Sequence, residues 1–556
     1  MEEQTQAARR GWELVGPALK SQGVDTVFFM LGIGGPHSPP VQSCLDVGIR
    51  GIYVRHEEAA AMMAHAYARM TGKPGVCFTP LGPATTNAIT GVMNAHMDAA
   101  PIVLIGGGQG RGDAGREAYQ EQDQVAMLRP ATKAAYRAEL PEKIPELIAR
   151  ALHQASSGCK GAVYLDLAMD VIHAPVDERR TFFPAPMGAP PRPAINAAQL
   201  DEINAMLAAA ARPVILAGSG VIWSGAAPAL AAFVDASGIP LVTTPQARGI
   251  VPEDHELVFT VAKTPALQKA DLVIILGTRA NWINRHFLPP AMSATAKVVN
   301  INIDPNTIGH MRVPDVGALA DARTAVEQLH GLRDYASDRA RWSPWAKQLQ
   351  ELNGTGVAQG NVITTPAGHI HPQFLVERIG DFLPRDAIFV VDGHETLEFA
   401  RRAISSFSVG GYITSGPNGC MGVGVPMAIG AKVACPDRPV ICFMGDGAFG
   451  WNGMEYDTAV RHDIPFVGII GNNAGFTARP TAGKGAGRDL GFQRYDKVVE
   501  ALGGHGELVT KPEDIRPALD RALASNRPAL VNVQIDPDTP ASGGLLGALG
   551  SSQATK

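Results

Sequence analysis

The sequence predicts an α/β protein built from three doubly wound parallel-sheet domains, and three observations carry that expectation. Short β-branched or apolar runs alternate with helix-patterned stretches along the chain, as strand–helix–strand units of a parallel sheet do. The alternation breaks twice, at the proline-rich FFPAPMGAPPRPA (182–194) and at a polar stretch, roughly 336–365, containing SPW, NGTG and QGNV. The length of 556 residues suits about three or four domains.

Taken in order, DTVFFML, GIYV, GVCFT, PIVLIGG and GAVYLDL read as strands of a domain over 1–180. The proline-rich stretch suits an extended linker. PVILAGSG, PLVTT, DLVIILG and KVVNINID repeat the style over 196–335. The stretch around 336–365 reads as a second linker. AIFVVDG, PVICFMGDG, FVGIIGNN and ALVNVQID then form a third domain over 366–540. The Gly/Ser-rich ASGGLLGALGSSQATK (541–556) is expected to be a flexible tail or a lid.

Composition narrows the function classes. The chain is 46% hydrophobic and only 18% charged, below the usual charged share of about 25%. That implies large buried surfaces, within the chain or between subunits. A net charge of -5 leaves no basic footprint for nucleic acid and no polybasic membrane patch. No apolar run approaches the roughly 20 residues of a membrane span. The N-terminus is charged and helix-patterned, unlike a secretory signal. Six scattered cysteines lack metal-site spacing and read as buried hydrophobes in a reducing compartment. The expected location is cytoplasmic.

Chemistry concentrates at two apolar runs. VICFM ends at Gly445-Asp446-Gly447, and FVGII ends at Asn472-Asn473, with 24 residues between Gly447 and Asn472. A strand–helix–strand unit brings both ends to one sheet edge, where ligands collect in parallel sheets. Carboxylate and amide oxygens are hard donors that suit Mg²⁺ or Ca²⁺ and not Zn²⁺. Gly447 and Ala448 add backbone N–H groups near a helix start, a phosphate cradle. Alone, Gly-Asp-Gly is a turn and Asn-Asn a loop; together, at this spacing, they read as a metal–phosphate site.

Gly445-Asp446-Gly447, the 24-residue gap and Asn472-Asn473 resemble the thiamine-diphosphate motif of the pyruvate-decarboxylase and acetolactate-synthase superfamily. The resemblance spans nearly the whole chain and implies pyrimidine-binding, middle and diphosphate-binding domains in that order. It implies that Asp446, Asn473 and the carbonyl of Gly475 hold Mg²⁺, which holds the cofactor's diphosphate. Gly445, Gly447, Ala448 and Phe476 would then lie against the cofactor. GIYVRHEEAAAMMAHAYARMTG followed by KPGVCFTPLGPATTN resembles the pyrimidine domain. On that likeness Glu57 hydrogen-bonds the pyrimidine N1′ and drives proton removal at thiazolium C2. The plainer reading is an acid favouring a helix dipole, which suffices for Glu58.

Further segments resemble the same superfamily. SGPNGCMGVGVPMAIGAK (415–432) implies Met421 as the wedge that bends the cofactor and the Gly419 carbonyl as acceptor for its 4′-amino group; Met421 as core filler is the alternative. VDGHETLEFARR (391–402) implies Gly393, His394 and Glu395 at the diphosphate, with His394 equally readable as a solvent-facing loop residue. AYQEQDQVAMLRPATK (118–133) implies Gln120 in the active site, against an exposed loop amide. FMLGIGGPHSPP (29–40) places Ile33, Gly34 and His37 nearby, with His37 a candidate proton donor.

The GTRANW within DLVIILGTRANWINRHF (271–287) resembles a segment of oxalyl-CoA decarboxylases and 2-hydroxyacyl-CoA lyases. It implies an ADP-like moiety in the middle domain, held by Arg279, Asn281, Trp282 and Arg285; CoA or FAD there stays open, as does a plain surface loop. The implied activity is cleavage or formation of a carbon–carbon bond, with an acyl-CoA substrate such as a 2-hydroxyacyl-CoA giving formyl-CoA plus an aldehyde or ketone. RYDKVVEALGGHGELV and QEQDQVAMLRPATK look as much like acetolactate synthases or benzaldehyde lyase. A non-catalytic regulatory member is the alternative of another class. The resemblance also implies a site shared by two chains, Glu57 from one and Asp446 from the other, in a homodimer or homotetramer. The chain departs from the pattern after Asn473, where Thr477, Ala478 and Arg479 precede a Gly/Lys/Arg-rich loop suited to an anionic substrate.

Overall fold

The computed structural model describes residues 9–32, 38–186, 188–355, 362–479 and 487–541. The chain forms two compact units, one of Met1–Pro191 with 418–420 and 429–434, the other of the remaining residues. In the first unit, strands β1 (Thr26–Phe29), β2 (Arg50–Tyr53), β3 (Gly75–Thr79), β4 (Ile102–Gly108), β5 (Ala134–Ala138) and β6 (Ala162–Ala168) form one sheet in the order β2-β1-β3-β4-β6-β5. Every pairing in it is parallel. All residues of β4 and β6 are buried, which is why both read as unbroken apolar runs. The helix Glu57–Thr71 starts where the His56 ring accepts from the Glu58 N–H, and stops at Gly72 with φ of 73°. It lies so close to the sheet that a Cβ at Gly75 would run into the carbonyl of Ala64.

The second unit holds two sheets. One contains β7 (Pro213–Ala217), β8 (Leu241–Thr243), β9 (Leu272–Leu276), β10 (Lys297–Asn302) and β11 (Val316–Leu319), ordered β11-β10-β9-β7-β8. The other contains β12 (Ile388–Asp392), β13 (Tyr412–Ile413), β14 (Val440–Gly445), β15 (Val467–Asn472), β16 (His505–Val509) and β17 (Ala529–Gln534), ordered β13-β12-β14-β15-β17-β16. Both are parallel throughout. The α/β class with three parallel sheets therefore holds. Four strands absent from the sequence reading, β5, β11, β13 and β16, are all edge strands. Four of the five residues of β5 and of β16 are only partly buried, as are two of four in β11, which breaks the apolar run, and β13 is only two residues long.

The expected second linker is corrected. Residues Ala336–Thr355 form a 20-residue helix that includes Pro344. Trp342 and Trp345 are buried beneath it, and their indole N–H groups donate to the carbonyls of Ala210 and Pro213 at 2.8 and 3.3 Å. Two tryptophans, Leu349 and their neighbours pack on the β7 side of the middle sheet. Burial of that much aromatic surface outweighs the low helix propensity of the Ser-Pro-Trp stretch. Among the described residues no helix is long and apolar enough to cross a membrane.

Within the second unit, a buried ion pair joins the two sheets. Arg248 donates to both carboxylate oxygens of Glu253 at 2.6 and 2.5 Å and to the carbonyl of Ile404 at 2.5 Å. Its guanidinium lies 4.2 Å from the centre of the Tyr412 ring. Nearby, Lys263 donates to the carbonyl of Thr243 at 2.8 Å. Burial, then the charges of Arg401 and Arg248, bring its ammonium down to about 8 from 10.5. Between those values the unfolded chain binds more protons than the folded one, so this group makes stability rise with pH there and is a cost below pH 8. Lys263→Met is therefore expected to melt about 2–4 °C above the parent at pH 7. The difference should shrink towards pH 10, by calorimetry across that range. A difference constant with pH would remove Lys263 as its source.

Candidate active site

Three loops leave adjacent strands of the C-terminal sheet at one edge, because β12, β14 and β15 are parallel neighbours. After β12 comes Gly393, in a left-handed region with φ of 93°. A Cβ there would stand 2.9 Å from the Thr396 hydroxyl and 3.5 Å from the Gly445 nitrogen. The helix His394–Ala403 follows, with His394 and Glu395 in its first turn. After β14, Asp446 opens the helix Asp446–Asn452, and Asp446, Gly447 and Ala448 are all buried. After β15 come Asn473, Ala474 with φ of 59°, Gly475 and Phe476. Gly447 has no room for a side chain: a Cβ would stand 2.7 Å from the Phe476 ring. The structure thus brings Gly393, Gly445, Asp446, Gly447, Ala448, Asn473, Gly475 and Phe476 together.

The oxygens at this edge have a distinctive arrangement. One end of the Asn473 side-chain amide lies 2.6 Å from the Gly475 carbonyl oxygen and 3.2 Å from Oδ1 of Asp446. With nitrogen there, the amide donates to both. With oxygen there, three oxygens face one another, a repulsion that only a cation offsets. Among the described residues, Oδ2 of Asp446 is buried with no hydrogen-bond partner. Burial pushes the Asp446 carboxyl up to about 6, while the N–H groups of Gly447 and Gly475 pull the other way. A buried, unpartnered carboxylate oxygen is what a hard cation with oxygen preference satisfies. Among the described residues no three His, Cys, Asp or Glu gather as a metal site; this set has one carboxylate and two neutral oxygens instead.

Glu395 faces the same turn. Its Oε2 accepts from the Ala478 N–H at 2.9 Å, and burial raises its carboxyl despite that bond. Arg479, read as one cation of an anion-binding loop, pairs with Asp538 at 2.8 Å. Arg488 is 6% exposed at its side chain and is spent on carbonyls of the turn. Both arginines of that loop within the described residues are therefore engaged by the chain itself.

The wedge segment is anchored on both sides within this unit. The Trp282 indole donates to the carbonyl of Pro417 at 2.8 Å, and the Asn452 side chain donates to the carbonyl of Gly422 at 2.9 Å. Met421 between them is half-buried. The tandem Asn281 and Asn284 cap each other: the Asn281 oxygen accepts from the Ile283 and Asn284 N–H groups, and the Asn284 oxygen from that of Asn281. Arg279 and Arg285 flank this self-capped turn, with Arg285 left-handed at φ of 52°. So Asn281 and the Trp282 N–H are committed to local structure.

In the first unit, Glu57 is the first residue of its helix. Its Oε2 accepts from the Asn87 side chain at 3.1 Å. Asn87 ends the short helix Pro83–Asn87, which Gly82 begins. Gly82 presses on Gln120: a Cβ there would stand 2.5 Å from the Gln120 carbonyl oxygen. Glu57 and Gln120 thus lie at opposite ends of one short helix, with Gln120 itself at φ of 57°. Gln124 holds this corner; its oxygen accepts from the Gly82 N–H, and its nitrogen donates to Gly107, Tyr164 and Asp166.

A second buried chain of hydrogen bonds holds residues 418–420 in this unit. Cys420 donates to Asn94 at 3.2 Å, Asn94 lies 3.3 Å from Nδ1 of His65, and Nε2 of His65 lies 3.0 Å from Asp98. Because Nδ1 accepts from Asn94, the ring proton sits on Nε2 and points at Asp98. Asn87, Gln124, Asn94 and Arg488 were not foreseen from the sequence. Asn87 lies in the quoted KPGVCFTPLGPATTN and Gln124 four residues past Gln120, but nothing in either stretch marks an amide as a support. His37, with Ile33 and Gly34, lies outside the described residues, as does the tail from 542 onward. All six cysteines are free of disulfides.

Residues 9–127, 200–329 and 395–533 match the thiamine pyrophosphate enzyme N-terminal TPP binding, central and C-terminal TPP binding domains, respectively. The chain is 35% identical over 533 residues to a probable acetolactate synthase of Mycobacterium bovis, covering 94% of this chain and 95% of that protein. It is 30% identical over 570 residues to a 2-hydroxyacyl-CoA lyase of Oryza sativa subsp. japonica, covering 96% of each. It is 31% identical over 546 residues to an oxalyl-CoA decarboxylase of Escherichia coli K12, covering 95% of each. The fold and the strand-end loops define a cofactor-dependent carbon–carbon lyase or carboligase. The chain belongs to the thiamine pyrophosphate enzyme family.

Proposed function

We propose that the chain cleaves or forms a carbon–carbon bond next to an acyl-CoA carbonyl. The reaction is that of a 2-hydroxyacyl-CoA lyase, converting a 2-hydroxyacyl-CoA to formyl-CoA plus an aldehyde or ketone. The observation that carries this reading is the GTRANW turn, whose Trp282 supports the carbonyl of Pro417 in the segment of Gly419 and Met421. That motif resembles the CoA-ester-processing branch, and full-length relatives bear those names. Thiamine diphosphate, when bound, supplies a carbon nucleophile and a cationic ring that accepts the electron pair of the broken bond.

This chain's own residues do the rest. Asp446, Asn473 and the Gly475 carbonyl would hold Mg²⁺ and through it the diphosphate; the buried Asp446 oxygen, without a hydrogen-bond partner among the described residues, fits that task. The N–H groups of Gly447 and Ala448, at a helix start, would donate to the diphosphate. Met421 bends the cofactor, with the Gly419 carbonyl accepting from its amino group. Glu57, oriented by Asn87, holds the proton at the pyrimidine nitrogen, and Gln120 turns its amide to the substrate. Arg279 and Arg285 are the groups we assign to an ADP-like or CoA moiety. The active assembly is a homodimer or homotetramer in the cytoplasm, with Glu57 and Asp446 of one site drawn from different copies.

A second reading, an acetolactate-synthase-like carboligase, is favoured by the 35% identity to the Mycobacterium bovis protein. Purified protein with thiamine diphosphate and Mg²⁺ is given a 2-hydroxyacyl-CoA or pyruvate in parallel. Formyl-CoA release with a kcat/KM at least about tenfold above pyruvate coupling is expected. Pyruvate coupling without cleavage of any CoA ester would establish the second reading.

A further inference from the structure

The turn that carries Asn473 and Gly475 has an unusual support. It leaves β15 at Asn472 and passes through Ala474, whose φ of 59° costs a non-glycine residue energy. Such a turn exposes a row of carbonyls that the sheet does not pair. One side chain donates to three of them. Nε of Arg488 donates to the carbonyl of Thr477 at 2.5 Å, Nη1 to that of Ala474 at 3.2 Å, and Nη2 to those of Asn473 and Pro537 at 2.9 and 3.1 Å. Nη1 also meets Oδ1 of Asp489 at 2.7 Å. The backbone on either side of Arg488 adds to the hold: its own carbonyl accepts from the Phe476 N–H at 3.1 Å, and Leu490 N–H donates to Ala474 at 2.8 Å.

The Gly475 carbonyl receives none of these bonds; its oxygen lies 2.6 Å from the end of the Asn473 amide that is itself 3.2 Å from Oδ1 of Asp446. The guanidinium also packs directly against Gly475, where a Cβ would stand 2.5 Å from its carbon. Three turn carbonyls, those of Asn473, Ala474 and Thr477, are drawn to the guanidinium, while that of Gly475 stays with the Asn473 amide beside Asp446. A planar group with five donors can do this; the ammonium of a lysine, a point charge with three, cannot span the same carbonyls.

We propose that Arg488 is a positioning residue for the metal-binding turn, sorting its carbonyls so that Gly475 is presented to a divalent cation before that cation binds. This rests on the reading that Asp446, Asn473 and Gly475 hold Mg²⁺. The guanidinium acts through the carbonyls of the turn, and the adjacent carboxylate of Asp489 offsets its positive charge.

The test is a Mg²⁺ titration of the full-length protein at fixed thiamine diphosphate, followed by intrinsic tryptophan fluorescence. Trp451 lies edge-on to Phe476 with ring centres 6.1 Å apart, so it reports on the turn. Arg488→Gln and Arg488→Lys are expected to need about 10- to 100-fold more Mg²⁺ for half-saturation. Turnover should recover at saturating Mg²⁺, and circular dichroism should show the metal-free variants folded, with melting lowered because buried carbonyls lose their donors. An unchanged Mg²⁺ requirement in either folded variant overturns the proposal. So does turnover that stays lost once Mg²⁺ binding is saturated. Should Arg488→Gln not fold, Arg488→Lys decides; should neither fold, Arg488 is a fold element and the proposal is overturned. An Asp446→Asn control keeps the two readings apart. If it leaves the Mg²⁺ response intact, the metal site itself is misassigned, whatever Arg488 does.

Discussion

Glu57→Gln is expected to lower turnover by about 10²- to 10⁴-fold, the range removed with a positioned acid–base group. The carboxylate oxygen that Asn87 donates to at 3.1 Å becomes half of an amide, which cannot hold and return the proton. The change is nearly isosteric, and Glu57 sits at a helix start where its structural contribution is a few tenths of a kcal/mol. Cofactor binding and melting temperature should therefore stay close to the parent while steady-state turnover falls. Full activity in Glu57→Gln would mean that the essential acid lies elsewhere. Loss of activity together with loss of fold would assign Glu57 to structure.

Asp446→Asn is expected to act on binding rather than on the chemical step. Removing one member of a buried, charge-paired set costs about 2–5 kcal/mol, so apparent Mg²⁺–cofactor affinity should fall about 30- to 3,000-fold. Without metal the sign for stability reverses. The Asp446 carboxyl carries a buried oxygen with no partner among the described residues and is pushed up to about 6. Replacing it by a neutral amide removes that desolvation cost. Metal-free Asp446→Asn should then melt at or above the parent by calorimetry, while the stabilisation by Mg²⁺ and thiamine diphosphate seen in the parent disappears. A variant that melts well below the metal-free parent would point to a structural role for the carboxylate.

The two variants also test the shared site. In co-expressed Glu57→Gln and Asp446→Asn chains that pair at random, mixed dimers hold one intact and one doubly altered site. About a quarter of parental activity is expected from two inactive proteins. Activity that stays at the background of the separate variants would place both residues of a site on one chain.

Much of this was legible in the sequence. The strands that line the candidate site, β12, β14 and β15, are central, buried on both faces and bounded by glycine or asparagine, so each was readable as an apolar run with a sharp end. Four of the six edge strands were not: partial exposure dilutes the pattern in β5, β11 and β16, and β13 is only two residues long. The helix Ala336–Thr355 was misread as a linker, since its polar composition and Pro344 argue locally against a helix, which its own Trp342 and Trp345 stabilise by packing on residues 132 positions away. The Gly/Lys/Arg-rich stretch after Arg479 was read as suited to an anionic or CoA-bearing substrate, and residues 480–486 of it lie outside the described residues, which leave Arg479 and Arg488 on its flanks. The structure spends those two cations on Asp538 and on the carbonyls of the Asn473 turn.

What the sequence by itself determined is the chemistry available at each strand end: one carboxylate, amides, and glycines where backbone must approach a ligand. Those depend on residue type and on a period of two or 3.6, which are local properties. What only the tertiary structure decided is which groups hold the first set in place. Asn87 on Glu57, Trp282 on Pro417, Asn94 on Cys420 and Arg488 on the Asn473 turn join positions between 15 and 326 residues apart. A hydrogen bond across such a distance leaves no mark on the spacing of either partner, because the energy that selects it arises when the fold buries both groups away from water.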